Sequence, residues 1–253
     1  MNRPGAGAPP RAPRTLGTLA LLAVLALSGI AALLALGTWQ LHRRVWKLDL
    51  IEQVETRIHA APVAAPGPAD WPAVSAARDA YRKVRLRGTF ANGRETLVQA
   101  ATERGAGYWV MTPLRTREGF TILVNRGFVP PELRDPASRA KGQVAGEAVV
   151  TGLMRMTEPK GGFLRSNDPA GNRWYSRDVA AIARARGLQE VAPYFVDADA
   201  TPNPGGMPVG GLTVVQFANS HLSYAITWFA LAALLAGGAV IVFRHELGMR
   251  RRP

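Results

Sequence analysis

NSHLSYAITWFALAALLAGGAVIVF, residues 219–243, is the stretch that decides the class of this protein. From Tyr224 to Phe243 it carries no charge, which matches the ~20 residues a helix needs to cross a bilayer core of ~30 Å. His221 stands just ahead of that run, and at helical spacing His221, Tyr224 and Trp228 share one face. An imidazole, a phenol and an indole at the level where a helix leaves the bilayer admit two readings. Tyr and Trp there make an ordinary interfacial belt, with a snorkelling, hydrogen-bonded histidine beside them. An ionisable group so close to hydrocarbon is also costly and tends to be functional or paired, which makes His221 a candidate metal ligand.

Working outward, Leu16–Leu36 is a second uncharged run of similar length. It is longer than the core of a secretory signal, and no clear small-x-small cleavage site follows before Trp39, so it reads as a retained anchor. The expected fold class is therefore a membrane protein, with two transmembrane helices flanking a β-rich α+β extramembrane domain. The expected boundaries are a disordered arm at 1–14, a first transmembrane helix at 15–38, an amphipathic helical stem at 39–59 and a Pro/Ala-rich linker at 60–79. The β-rich domain follows at 80–218, then the second transmembrane helix with its polar lead-in at 219–243 and a basic tail at 244–253.

The net charge is +13, and its distribution suggests an orientation. Arg3, Arg11 and Arg14 precede the first helix, and Arg244, Arg250, Arg251 and Arg252 follow the second, so the positive-inside rule places both termini in the cytoplasm and the domain in the periplasm. Arg43, Arg44 and Lys47 run against this, but long domains translocate largely regardless of charge. A basic domain suits anionic lipid headgroups, an acidic partner or carboxylate ligands; nucleic acid is not expected for an exported, tethered domain. With no cysteine, disulfides, thiolate ligands and C-x-x-C-H haem attachment are excluded.

Within the domain, YRKVRLRGTF (81–90) and RETLVQAAT (94–102) alternate at period two around Asn92-Gly93 and read as a hairpin. GAGYWVMTPLRT and GFTILVNRGFV read as a second hairpin turning at Glu118-Gly119, and EAVVTGLMRM as a further strand. A helix is expected over Ser176–Arg186 with Ser176 as N-cap and Gly187 past its end. PYFVDAD and GLTVVQF read as closing strands. These elements make an antiparallel sheet or open barrel with one packed helix.

Enzyme signatures are sparse: G-x-S-x-G, H-E-x-x-H, the phosphate-binding G-x-x-x-x-G-K-[ST] and a cysteine nucleophile are all missing from the sequence, and no catalytic activity is expected. In the stem, Trp39, Arg43, Trp46 and Leu50 form one helical stripe with Gln40 and Lys47 beside it. This stripe reads equally as an interfacial anchor or as a docking strip for the second helix or a ligand carboxylate. His42 and His221 would both lie at the outer surface, where paired histidines could hold a haem iron or a copper ion. In VNRGFVP (124–130), Asn125, Arg126 and Gly127 mark a strand running into a turn, or a place where the Arg126 fork meets a carboxylate or a partner.

LGTWQLHRRVWK at 36–47, GYWVMTP at 107–113, VNRGFVP at 124–130 and NSHLSYAITW at 219–228 together resemble the surfeit locus protein 1 family of cytochrome c oxidase assembly factors. They occur in the family's order, within the same helix–domain–helix layout. The resemblance implies an inner-membrane protein without catalytic turnover that helps mature the haem-copper oxidase. It further implies transient binding of haem a and help in its insertion into the catalytic subunit. The expected partners are that subunit, other assembly factors or haem a synthase, and membrane lipids. The family's haem-linked histidine maps onto His221, and its first-helix signature onto Trp39, Gln40 and Arg43; His42 falls at a variable position, so the resemblance does not support a second histidine ligand. The expected site has His221 on the iron, Tyr224 and Trp228 walling the macrocycle, and Arg43, Arg44 or Lys47 on the propionates. The competing expectation is a membrane-anchored scaffold that holds oxidase subunits or assembly factors without a cofactor. An Arg- and Ala-rich chain without a convincing transit peptide suggests a bacterial cell membrane over a mitochondrial one.

Overall fold

The structure, a computed structural model, describes residues 14–159, 161–162, 164–215, 217 and 219–250. The chain divides into two compact units, Met1–Ile51 with Phe217–Pro253, and Glu52–Gln216. The arm expected at 1–14 lies, Arg14 excepted, outside the described residues.

The first unit is a helix pair. α1 (Leu16–His59) runs unbroken through the apolar run and the stem, and α4 (His221–Arg250) starts at the histidine itself. Both are long and apolar enough to cross a membrane. They lie antiparallel: near one end the Arg14 backbone N–H donates to Glu246 (3.0 Å), and towards the other Gln40 meets His221. The seam is built from small residues, which let helix backbones approach where lipid offers no hydrophobic drive. Gly37 faces the Phe229 ring so closely that a Cβ there would stand 2.6 Å from it. Ala225 and Ala232 are buried on the facing helix. Away from the seam, Leu21, Leu25, Leu34, Ile226, Leu234 and Ile241 are exposed, as suits a surface solvated by lipid.

The second unit is a five-stranded barrel with two added strands. β1 is Val63–Ala64, β2 Lys83–Phe90, β3 Thr96–Thr102, β4 Gly105–Thr116, β5 Thr121–Val129, β6 Glu147–Met156 and β7 Val191–Ala198. β2 pairs antiparallel with β6, β6 with β7, and β5 with β4, whereas β7 and β5 are parallel. β2 then pairs with β4 through Gly88↔Thr116 and Phe90↔Leu114, which closes the ring. Gly88 sits at that corner, where a Cβ would stand 2.2 Å from the Arg115 carbonyl oxygen. A side chain there would block the close approach by which one strand serves two partners. β3 extends the barrel beyond β4, and β1 pairs parallel with β2.

Alternation at period two decides what fills the barrel. Val84, Leu86, Leu114, Ile122, Val124, Met154, Tyr194 and Val196 form the interior core. Intervening residues build a second core outside it, where Val98, Met111, Leu123 and Phe195 pack under Trp174 and the helix α3 (Val179–Ala185), through Val179 and Ile182. β5 lies between the two cores and all nine of its residues are buried.

Several sequence expectations are corrected here. The sheet is neither purely antiparallel nor open, because β5 and β7 are parallel and β2 closes on β4. Residues 81–90 and 94–102 do not form a hairpin. A short 3-10 turn at Asn92–Arg94 separates them, and β2 and β3 pair with different stretches of β4. GLTVVQF forms no strand over its described residues 211–215 and 217; the preceding Val209 makes only a bridge to Phe128. Asp178, not Ser176, caps α3, its carboxylate accepting from Ala181 N–H at 3.0 Å; the Ser176 hydroxyl instead accepts from Gly161 N–H and Asn167 Nδ2. The β4–β5 hairpin stands as expected, turning through Gly119 at φ +90°.

Candidate functional site

In the helical unit, two residues 181 positions apart make the central contact. His221 Nδ1 donates to Gln40 Oε1 at 2.8 Å, which leaves the lone pair on Nε2 free. Gln40 faces α4 because Gly37, one turn earlier, brings the backbones together, and Arg44 and Lys47, one and two turns later, keep the same phase and are part-buried. The Lys47 ammonium lies 5.2 Å from the Phe217 ring centroid. Arg43 is turned outward and stacks on Trp46 at 3.9 Å. Among the described residues, Arg43, Arg44 and Lys47 form no salt bridge. Trp39 and Tyr224 are each 55% exposed and stand on outer faces. Trp228 is turned inward, and among the described residues its Nε1–H is buried without a hydrogen-bond partner, as is Asn219 Oδ1.

The structure thus brings Gln40 to His221 and gathers Arg44 and Lys47 on the same face of α1. It does not bring His42 to that histidine: His42 is exposed and lies two residues, about 200° of helix, around from Gln40. The stripe of Trp39, Arg43 and Trp46 flanks the seam rather than forming it. Among the described residues no three His, Cys, Asp or Glu side chains gather as a metal-binding cluster.

In the barrel unit, the residues of VNRGFVP hold the end of β5. Asn125 is buried; its Nδ2 donates to Asp197 Oδ1 (2.8 Å) and its Oδ1 accepts from Gly127 N–H (3.1 Å). Gly127 adopts φ +126°, and a Cβ there would stand 2.0 Å from the Val209 carbonyl oxygen, so position and packing both require glycine. Arg126 is 2% exposed. Its Nη2 donates to the Gly142 carbonyl (2.6 Å) and to Asn203 Oδ1 (2.7 Å), and its guanidinium covers the Phe90 ring at 4.8 Å. Among the described residues, Nε and Nη1 are buried without partners. Burial pulls this guanidinium down to about 10, with Glu95 opposing and Arg139 adding to the shift. Glu95 itself is committed to Arg139, which reaches it with both terminal nitrogens.

The sequence reading missed a charge cluster beside Asn125. Buried Asp197 accepts from Arg155 (2.7 Å), Arg177 (3.1 Å) and Thr213 (2.9 Å), and Arg177 also forks onto Glu158. Burial alone would lower the Arg177 guanidinium; Asp197 and Glu158 outweigh it and hold it above its ordinary value. The cluster is balanced, two guanidiniums against two carboxylates, and reads as a tie between β6, β7 and the segment after 176. One signal existed: an aspartate inside the apolar strand PYFVDAD, which burial would demand be paired.

Against known proteins, residues 27–233 match the model of the SURF1 family. Among similar sequences, Surfeit locus protein 1 of Homo sapiens is 40% identical over 217 residues, covering 78% of this chain and 69% of the human protein. Surfeit locus protein 1 of Xenopus tropicalis is 37% identical over 219 residues, covering 80% and 69%. The SURF1-like protein of Monosiga brevicollis is 38% identical over 231 residues, covering 85% and 84%.

Proposed function

The chain belongs to the SURF1 family, known as cytochrome oxidase assembly factors, and from that premise we propose that it binds haem a transiently at the His221 end of its helix pair and assists its insertion into the oxidase catalytic subunit. Assembly factors of this family are generally non-enzymatic, and the role is carriage, not turnover. The observation that carries the reading is the 2.8 Å contact between His221 Nδ1 and Gln40. It fixes the tautomer and the ring direction, as hydrogen-bonded partners do for metal-ligating histidines in general, and leaves Nε2 as the metal-binding nitrogen.

The remaining residues fit such a ligand. A macrocycle that is apolar except at its iron, carboxylates and ring substituents suits a lipid-facing surface with cations at headgroup level. Arg44 and Lys47 lie on the Gln40 face of the helix with no salt bridge among the described residues and would meet the carboxylates, with Arg43, turned outward onto Trp46, at the margin. Tyr224 and Trp228 follow His221 on its own helix and would flank the ring. The orphaned Trp228 Nε1–H and Asn219 Oδ1 are the buried polar groups that a ligand's polar substituents would satisfy. Trp39 sits one residue before Gln40 and would border the same place from outside. The charge pattern of the sequence supports both termini in the cytoplasm, its Arg- and Ala-rich composition supports a bacterial inner membrane, and membership of the family supports the catalytic subunit, other assembly factors or haem a synthase as partners.

The test is the visible spectrum of the detergent-purified protein from cells that make haem a, beside His221→Ala and Gln40→Ala. A Soret band is expected in the native protein, absent from His221→Ala, and weakened at least several-fold or shifted in Gln40→Ala. An equal band in native protein and His221→Ala rules out His221 as the ligand. No band in any of them, with haem a confirmed in the membranes, leaves the scaffold that holds oxidase subunits without a cofactor.

A further inference from the structure

Arg126 poses a question that its place on β5 sharpens. Counting by twos from Ile122 and Val124, both in the interior core, brings Arg126 inward at the last rung of the barrel. The neighbouring inward positions at that end are Phe90, Ala148 and Ala198, and two of these are too small to fill the space. A cavity of about 430 Å³ opens there, lined by Arg126, Phe90, Val124, Ala148, Ala198 and Pro202 among others. The walls are mostly apolar, with Thr151, Asp199, Thr201 and Asn203 among them; a volume of this size with such walls is what small-molecule sites share, and barrel mouths are a recurrent place for them.

The charge on its lining is met by two hydrogen bonds and the Phe90 ring, not by a carboxylate. Among the described residues no carboxylate forms a salt bridge with Arg126, and two of its three guanidinium nitrogens lack hydrogen-bond partners. The nearest electrostatic counterweight, Glu95, is already held by Arg139. The only other ionisable group on the lining, Asp199, accepts a hydrogen bond from Thr201 N–H within its own turn. A buried guanidinium is costly unless paired, and a planar carboxylate is its natural complement. We infer that the barrel mouth is a binding site for a small carboxylate with an apolar body, the carboxylate seated on Arg126 and the apolar part against Phe90, Ala148 and Pro202. This site belongs to the barrel unit alone and stands or falls independently of His221.

The probe is octanoate, carbon-13 labelled at the carboxyl, titrated by NMR into the full chain in phosphatidylcholine nanodiscs, with empty nanodiscs as the partitioning control. Saturable binding with a shifted carboxyl resonance is expected, at least tenfold weaker in Arg126→Met and largely retained in Arg126→Lys. Octanol, with the chain but not the charge, should compete at least tenfold less well. Ala148→Leu fills the mouth and leaves the cation in place; it should abolish binding while near-ultraviolet circular dichroism stays native, which keeps the test decisive if Arg126→Met fails to fold. The inference is overturned if octanoate only partitions as it does into empty nanodiscs, or if Ala148→Leu binds it as the native protein does.

Discussion

Asp79 is fully buried, yet its carboxyl lies below the usual carboxylate range. Burial pushes it up, but the Ser75 backbone N–H and the Arg78 and Arg82 guanidiniums together outweigh that. Because the folded-state value lies below the unfolded one, the group contributes stability that is present above about pH 4 and is lost as pH falls through the folded-state value. Thermal melting of native protein and Asp79→Asn between pH 7 and pH 3 should therefore give curves that converge in the acid limb; curves that stay parallel below pH 4 would refute the assignment. Residues of this kind are only partly legible in sequence. Asn125, Arg126 and Gly127 stood out in VNRGFVP because glycine before a strand-ending proline is a local signal, and His221 stood out against an apolar run. The bond between His221 and Gln40, and the Asp197 cluster, join residues that no spacing rule connects.

At the scale of elements, the helix seam yields the clearest prediction. Gly37 admits the Phe229 ring, and Gly29 admits Leu235 in the same way. Gly37→Leu should force Phe229 out and lower the stability of the helix pair by about 1–3 kcal/mol, as overpacking does. Phe229→Ala in the same chain should recover part of that loss, read as the melting temperature of each variant in nanodiscs. If the double variant is no more stable than Gly37→Leu, the packing described here is wrong. The seam was hidden in the sequence by a stronger neighbour, since the indoles at 39 and 46 mark a stripe, whereas Gly37, Gln40 and Arg44 carry no hydrophobic signal of their own. Strands show the same contrast. The β4–β5 hairpin is written locally at Gly119, but the parallel pairing of β5 with β7 and the closure of β2 on β4 join distant segments and leave no periodic trace.

For the molecule as a whole, both apolar cores and all seven strands fall within Glu52–Gln216. A piece with its own core is expected to fold alone. Residues 52–216 expressed without either apolar helix should remain soluble, show strand-type far-ultraviolet circular dichroism and melt in one cooperative transition. A broad, non-cooperative melt would show that the barrel depends on the helices. Folding of this piece should also be slow for its size, because its pairings are mostly non-local.

The double burial of β5 carries a consequence for how this chain can change over time. A strand with one wet face can vary there freely, answering to a single core. Between Thr121 and Val129 there is no such face: Leu123 answers to α3 and Trp174, Ile122 and Val124 to the barrel interior, Asn125 to Asp197, and the end of the strand to Gly127. Substitutions in this segment are judged by two cores at once, and the sequences compatible with the fold narrow most sharply along these nine residues.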